Sequence, residues 1–332
     1  MSKVYRDLEK FANPFLTGWR KTRKTNFLLL AWALLLERTC CLSHLARALC
    51  VKIMAQSKVN RFFRFLKSQK ACSFDDFFAK MGLWVLNLFA QRERFVLVLD
   101  TTFVKEWMIF SVILPYKGRG LVLQMDVYPL FSLPFCQTDL QISFLERLFS
   151  WLPFERSRFV LVADRGFACG RLIRWLKEKG VYFVIRLPCN WWVEREGRWE
   201  QIKFLRVKET GKGEWLKEVL ISRREQIRLN LLLFWERGER EGWYLATNLP
   251  TKREAKRFYG LRMRIEECFR DKKSKMRLKS LWRWKRREHV CWMLLMVAFV
   301  LLFLFWVYRN KVRRGWARRQ EIWGRLSPTT FR

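Results

Sequence analysis

Four polar side chains recur at intervals that would place them on one side of a helix: Tyr259, Arg262, Glu266 and Lys273. No proline interrupts this segment, and Gly260 is its only poor helix former, so the sequence predicts a helix. At about 100° per residue, the four side chains form one narrow stripe. A carboxylate beside a phenol and two cations suits metal-assisted phosphoryl transfer, because the acid can hold a divalent cation while the cations hold phosphate oxygens. A solvated face of mixed charge is the simpler alternative.

An apolar face lies beside this stripe on the same predicted helix. It consists of Phe258, Leu261, Ile265, Cys268 and Phe269. Burial of this face would hold the polar stripe at the edge of a core. Glu267 points away from both surfaces, so Glu266 and Glu267 are a matched pair of acids with different predicted positions.

Two further carboxylates follow apolar runs that have the length of buried strands. Residues 95–99 lead to Asp100, and residues 159–163 lead to Asp164. An isolated aspartate at a strand end usually forms a turn or caps a helix. Two of them in one sheet would lie where open α/β sheets gather their ligands. Together with Glu266 they would supply three hard oxygen ligands for Mg²⁺ or Mn²⁺.

Other acids compete with these three. Asp126 lies within a predicted strand and Asp139 near a predicted helix start, so we assign them to solvent exposure or helix capping. The same interpretation applies to Asp271.

The order of predicted elements gives the three candidate acids a common scaffold. Strands are predicted at 95–99, 108–114, 121–130, 159–163 and 181–185, and helices at 138–151 and 170–179. Three meandering strands followed by alternating helices and parallel strands are typical of a ribonuclease H-like core. We therefore predict an α/β fold whose core is a mixed five-stranded sheet flanked by helices.

The remaining segments differ in charge and in their pattern of apolar residues, and these differences suggest that the chain has five segments. We predict a helical, basic DNA-binding domain over 1–92, a core in two parts over 93–186 and 248–310, a β-rich insertion over 187–247 and a basic tail over 311–332. The insertion is inferred from short apolar stretches that tryptophan and glycine residues separate, which indicates a small barrel or sheet.

A helix-turn-helix-like arrangement is predicted within the first unit. Ser43 would cap a short helix, and Ser57 would cap a basic helix over 58–68. The apolar side of the second helix would contain Val59, Phe62, Phe63 and Leu66. Its basic side makes Arg61, Arg64 and Lys67 candidate DNA contacts.

The charge balance narrows the class of partner. The 332 residues carry a formal charge of +36, from 66 Lys and Arg against 30 Asp and Glu. Such an excess implies a polyanionic partner, either nucleic acid or an anionic membrane. The 18 tryptophans favour nucleic acid, because indole rings stack on unpaired bases.

Cysteine and histidine usage points to a reducing compartment. Nine cysteines form no CxxC pair, and only His44 and His289 are present, which argues against a zinc site or a disulfide framework. The first residues contain no apolar signal-peptide region, so we expect a cytoplasmic protein. Residues 290–308 are uncharged and long enough to span a membrane, but a buried core helix meets the same criteria.

Several motifs together resemble bacterial insertion-sequence transposases of the DDE class. They are Asp100-Thr101-Thr102, Asp164-Arg165-Gly166-Phe167, the run from Trp243 to Leu249, and Tyr259-x2-Arg262-x3-Glu266-x6-Lys273. The last motif is similar at every position to the Tyr-Arg-Glu-Lys signature of one branch of that class. The resemblance covers roughly residues 94–305.

The resemblance implies a ribonuclease H-like core with a β-strand insertion, acting as a homodimer on paired element ends. Asp100, Asp164 and Glu266 would bind two Mg²⁺ or Mn²⁺ ions, and Tyr259, Arg262 and Lys273 would hold phosphates at the cut end. An insertion tryptophan would stack on a flipped base. The candidates for this role are Trp191, Trp192, Trp199 and Trp215. The resemblance also implies that residues 290–308 form a core helix, so a membrane partner is not expected.

We therefore expect a nucleoid-associated DNA transposase that cleaves the terminal inverted repeats of its own element and joins them to target DNA. Three alternatives remain open from the residues alone. The chain could be a metal-dependent nuclease without strand transfer, a non-catalytic DNA-binding protein, or a membrane protein with a basic cytoplasmic domain.

Overall fold

The computed structural model describes residues 2–49, 53–67, 74–117, 119–133, 136–205, 213–235, 241–262, 284 and 286–313. The amino-terminal helices are α1 (Lys3–Ala12), α2 (Lys21–Glu37), α3 (Leu42–Arg47), α4 (Ala55–Lys67) and α5 (Phe74–Asn87). The next elements are β1 (Phe95–Val104), β2 (Trp107–Tyr116), β3 (Arg119–Pro129), α6 (Gln137–Trp151), β4 (Phe159–Ala163), α7 (Gly170–Glu178) and β5 (Tyr182–Arg186). They are followed by β6 (Trp192–Arg195), β7 (Arg198–Gln201), β8 (Glu214–Ile221), β9 (Ile227–Phe234), β10 (Trp243–Thr247), α8 (Lys252–Tyr259) and α9 (Arg287–Arg313).

The protein is a mixed α/β structure built on one sheet, and the five predicted core strands are confirmed. They lie in the order β3-β2-β1-β4-β5. β1 to β3 form an antiparallel meander, whereas β4 is parallel to both β1 and β5. The predicted helices between the later strands are also present as α6 and α7. This arrangement is consistent with a ribonuclease H-like fold.

The insertion strands extend this sheet, so the predicted five-stranded sheet is too small. β10 pairs antiparallel with β5, and β9, β8, β6 and β7 follow in that order to give ten strands. A strand edge with unpaired N–H and C=O groups is a template for further pairing. Because β10 covers the edge of β5, the insertion continues the core sheet and is not a separate barrel.

The apolar segment near the carboxyl end is a core helix. By length and composition α9 could cross a membrane, but 78% of its apolar window is buried inside the protein. The Phe299 ring lies 5.3 Å from Phe11, 4.8 Å from Phe27 and 6.1 Å from Phe77, measured between ring centroids. The helix also contacts β3. It therefore packs between the amino-terminal helices and the sheet.

The two predicted serine caps and one predicted core residue of the amino-terminal region are wrong. Ser43 and Ser57 lie inside α3 and α4. On α4 the buried side chains are Phe62, Phe65 and Leu66, whose spacing of three and four residues defines one helical face. Phe63 falls outside this face and is 44% exposed, with its ring against His289.

Candidate active site

Two of the predicted acids lie on neighbouring parallel strands. The register pairs Leu99 of β1 with Ala163 of β4, so Asp100 and Asp164 follow side by side. Both side chains are partly buried. Asp164 ends β4 as predicted, but Asp100 lies inside β1, which continues to Val104. The predicted strand end is instead the point where β1 stops pairing with β4 while it continues to pair with β2.

The next two candidate side chains approach from α8. Thr251 caps the start of this helix, and its hydroxyl accepts a hydrogen bond from the Glu254 N–H. The predicted continuous helix from Tyr259 is wrong at its start, because α8 ends at Tyr259 and a 3-10 turn spans Gly260–Arg262. Residues three apart eclipse in 3-10 geometry, so the turn still directs Tyr259 and Arg262 to one side.

Tyr259 and Arg262 meet at the Asp164 carboxylate. The Arg262 Nη2 lies 2.9 Å from Asp164 Oδ2, and the Tyr259 hydroxyl lies at a longer 3.4 Å from Oδ1. Burial raises the pKa of the Tyr259 phenol, and the Asp164 charge adds to the increase, whereas Arg262 and Arg186 oppose it. Tyr259 therefore remains protonated at neutral pH and can donate a hydrogen bond.

Two more arginines border this group, and the sequence analysis gave them no role. Arg165 follows Asp164 directly, and Arg186 ends β5, the strand beside β4. Both donate hydrogen bonds to Glu241, and the Arg186 guanidinium lies 5.7 Å from the centroid of the Trp243 ring. The rule that drew attention to Asp164, a polar residue at the carboxyl end of a parallel strand, applies equally to Arg186.

The motif from Trp243 to Leu249 has a structural role. The Asn248 side chain accepts a hydrogen bond from the Phe183 N–H and donates one to the Val181 carbonyl, both at 2.9 Å. The Thr247 hydroxyl donates to the Phe183 carbonyl. These side-chain bonds fix the end of β10 to the start of β5, and the chain then enters α8.

The competing acids have different explanations. Asp139 is exposed in the first turn of α6, where it pairs with Arg171. Asp126 is buried, so its assignment to solvent exposure or capping is wrong. Its carboxylate accepts hydrogen bonds from Arg147, Arg287 and the Tyr128 hydroxyl. Paired charges make this burial tolerable. Asp271 lies outside the described residues.

The predicted metal site needs Glu266 as its third carboxylate. Glu266, Glu267 and Lys273 lie outside the described residues, so the second half of the Tyr-Arg-Glu-Lys signature stays a prediction. In the part of the chain that the structure describes, no three His, Cys, Asp or Glu side chains are grouped to hold a metal ion. Asp100 and Asp164 supply two adjacent carboxylates, a donor type that suits Mg²⁺ or Mn²⁺. Glu266 would have to complete the set.

The predicted DNA contacts of α4 have local partners. Arg61 Nε donates a hydrogen bond to Asn26 Oδ1 at 2.5 Å, and the exposed Arg64 bonds the Asn60 carbonyl. Lys67 is exposed. Arg61 therefore also braces α4 against α2, and contact of these side chains with DNA stays a prediction.

The four insertion tryptophans lie in different surroundings. Trp191 and Trp215 pack against the core, and Trp199 is partly buried in β7. Trp192 lies beneath Arg223, whose guanidinium carbon is 3.4 Å from the ring centroid. Which of them stacks on a base stays open.

Comparison with known families agrees with this geometry. The family model of the transposase DDE domain matches residues 140–303. The matched region contains Asp164, Tyr259 and Arg262, and it begins after Asp100. A comparison with curated proteins gives no match. This domain match supports a transposase of the DDE class.

Proposed function

We propose that the protein cleaves the ends of its own insertion sequence by metal-dependent hydrolysis and joins the freed 3′ ends to target DNA. The observation that carries this proposal is the convergence of Tyr259 and Arg262 on Asp164, beside Asp100 on the next strand. The match to the transposase DDE domain supports a metal-dependent enzyme that cuts DNA.

Each side chain has a distinct task in this proposal. Asp100, Asp164 and Glu266 would hold two Mg²⁺ or Mn²⁺ ions. Metal ions bound there would supply the chemistry of other two-metal sites, activation of water and stabilisation of a departing oxygen. Arg262 and Lys273 hold non-bridging phosphate oxygens through charge-assisted hydrogen bonds. Tyr259, held in its protonated form, donates to the same phosphate group or to Asp164.

The partners follow from the same reaction. Two copies of the chain would hold the paired inverted repeats of one element and then the target DNA, in the cytoplasm at the nucleoid. The formal charge of +36 supports a large, salt-dependent contribution of phosphate contacts to the free energy of DNA binding.

The test is cleavage of DNA that carries the sequence flanking the gene, with Mg²⁺ or Mn²⁺ and with chelator. We expect cuts at the repeat boundary by the wild type and by Glu267→Gln, but not by Glu266→Gln or Asp100→Asn. None of the three variants should bind the DNA more weakly than the wild type in chelator. Similar losses in Glu266→Gln and Glu267→Gln would contradict the predicted stripe.

The products separate the proposal from its nearest rival. Covalent joining of the cut 3′ ends to a second DNA molecule supports a transposase, whereas cuts that ignore the boundary indicate a general nuclease. Binding without any cleavage would indicate a non-catalytic DNA-binding protein.

A further inference from the structure

A single carboxylate joins two arginines beside Asp164. Glu241 Oε1 accepts a hydrogen bond from Arg165 Nη1 at 3.0 Å and another from Arg186 Nη2 at 2.7 Å. Arg165 lies in the 3-10 turn after β4, Arg186 ends β5, and Glu241 lies just before β10. Three chain segments thus converge on one anionic oxygen near the carboxyl end of β4, where Asp164 lies.

The members of this cluster differ in how firmly they are held. The Arg186 side chain is only 13% exposed and lies against the Trp243 ring, which also contacts the Tyr259 ring. The Glu241 side chain is 51% exposed and that of Arg165 is 57% exposed. Ion pairs between exposed groups contribute little free energy, so another anion can replace Glu241 at small cost.

The geometry suits a phosphate group. Two guanidinium groups that already donate to one oxygen provide planar, permanently charged donors, which match the oxygens of a phosphodiester. Arg186 and Tyr259 both lie against the Trp243 ring, and Tyr259 in turn contacts Asp164, so the cluster is continuous with the proposed reaction site.

We infer that Arg165 and Arg186 form a second binding site for a DNA backbone phosphate, next to the one at Arg262, and that Glu241 occupies it until DNA arrives. This inference rests on the proposed function, since it requires DNA at Asp164. Glu241 acts as an internal counter-ion. It lowers the affinity for DNA, and the incoming phosphate displaces it from both arginines.

The test is equilibrium binding of a short duplex with the gene's flanking sequence, in chelator and over a range of salt concentrations. Glu241→Gln should bind about 2- to 5-fold more tightly than the wild type, the gain expected from removing a weak competing ion pair. Glu178→Gln is the matched control. It makes the same charge change at the end of α7, just before the start of β5, whereas Arg186 lies at the other end of that strand.

The arginines provide the second half of the test. Arg165→Gln should weaken binding and reduce the salt dependence, the slope of log K against log salt, by about one. This side chain is exposed, so its removal should leave folding intact. In the variant that lacks both arginines, adding Glu241→Gln should no longer tighten binding.

Three results would overturn the inference. One is equal affinity of Glu241→Gln and Glu178→Gln, and another is a gain that persists without the arginines, which would make it a general charge effect. In either case cleavage by the wild type would leave the proposed function intact. The third, a wild type that does not bind DNA at all, would remove both proposals.

Discussion

Asp126 and Asp164 are two carboxylates with the same types of neighbour, an arginine and a tyrosine, but with opposite surroundings. Asp126 is 3% exposed and accepts from two arginines, the Tyr128 hydroxyl and the Val127 N–H. Asp164 is 27% exposed, and within the described residues it contacts Arg262 at 2.9 Å and Tyr259 at 3.4 Å. An ionised carboxylate has about four acceptor positions.

The difference separates a structural ion cluster from a site with room for a ligand. The partners of Asp126 come from β3, α6 and α9, so this cluster ties three elements together and its acceptor positions are filled. Asp164 retains exposed surface and acceptor capacity at the end of a strand. An aspartate beside an arginine is therefore a weak sign of function until its burial and number of partners are known.

The largest expected effect concerns activity at Asp164. Asp164→Asn should lower the cleavage rate by roughly a thousandfold or more, because a lost metal ligand costs several kcal/mol at the barrier. The free energy of unfolding should change by less than about 1 kcal/mol, since the ion pair is partly exposed. Cleavage assays and denaturant titrations measure the two quantities. A variant that is clearly less stable but keeps its specific cleavage activity would reverse the assignment.

The next effect concerns stability at Asp126. Asp126→Asn should reduce the free energy of unfolding by about 1–3 kcal/mol, because the buried carboxylate would lose its charge-assisted hydrogen bonds from Arg147 and Arg287. Asp139→Asn, which removes an exposed partner of Arg171, is the matched control and should leave the denaturation midpoint unchanged. Equal midpoints for the two variants would show that the Asp126 cluster adds no stability.

A smaller effect distinguishes Arg262, which contacts Asp164, from Arg147, which contacts Asp126. Arg262→Gln should weaken DNA binding and reduce its salt slope by about one, as expected for one lost phosphate contact. Arg147→Gln should leave both quantities unchanged and lower only the denaturation midpoint. Binding titrations at several salt concentrations test this prediction. Unchanged affinity in Arg262→Gln would remove its phosphate role.

The smallest effect concerns Tyr128 in alkali. Burial raises the pKa of Tyr128 from 10.0 to about 12, and the Asp126 charge adds to the increase. Above pH 10 the unfolded chain loses this proton before the folded chain does, so stability should fall as pH rises from about 10 to 12. Tyr128→Phe should make this fall shallower in urea titrations across that range. The same steepness in both proteins would argue against a protonated Tyr128 in the folded state.

The core strands could be predicted because their signal is local. β1 and β4 are buried on both faces and therefore read as uninterrupted apolar runs, and each run leads directly to an aspartate. Their shared register then follows from the topology. The side-by-side position of Asp100 and Asp164 could therefore also be predicted from the sequence.

Other features depend on residues too distant to show a local pattern. Arg287 reaches Asp126 across 161 positions, and no periodicity near either residue indicates that pairing. The insertion joins the core sheet through the antiparallel pairing of β10 with β5, two strands that are far apart in the sequence. Gly260 was noted as a poor helix former, but only the structure shows that α8 ends there in a 3-10 turn.

The position of α9 bears on how the chain acquires its structure during translation. Phe11, Phe27 and Phe77 are made early, yet all three pack on Phe299, which is made late. Amino-terminal segments usually fold first as they leave the ribosome. Here α1, α2 and α5 can pack on one another first, but their shared aromatic core is complete only after α9 has emerged and placed Phe299 among them.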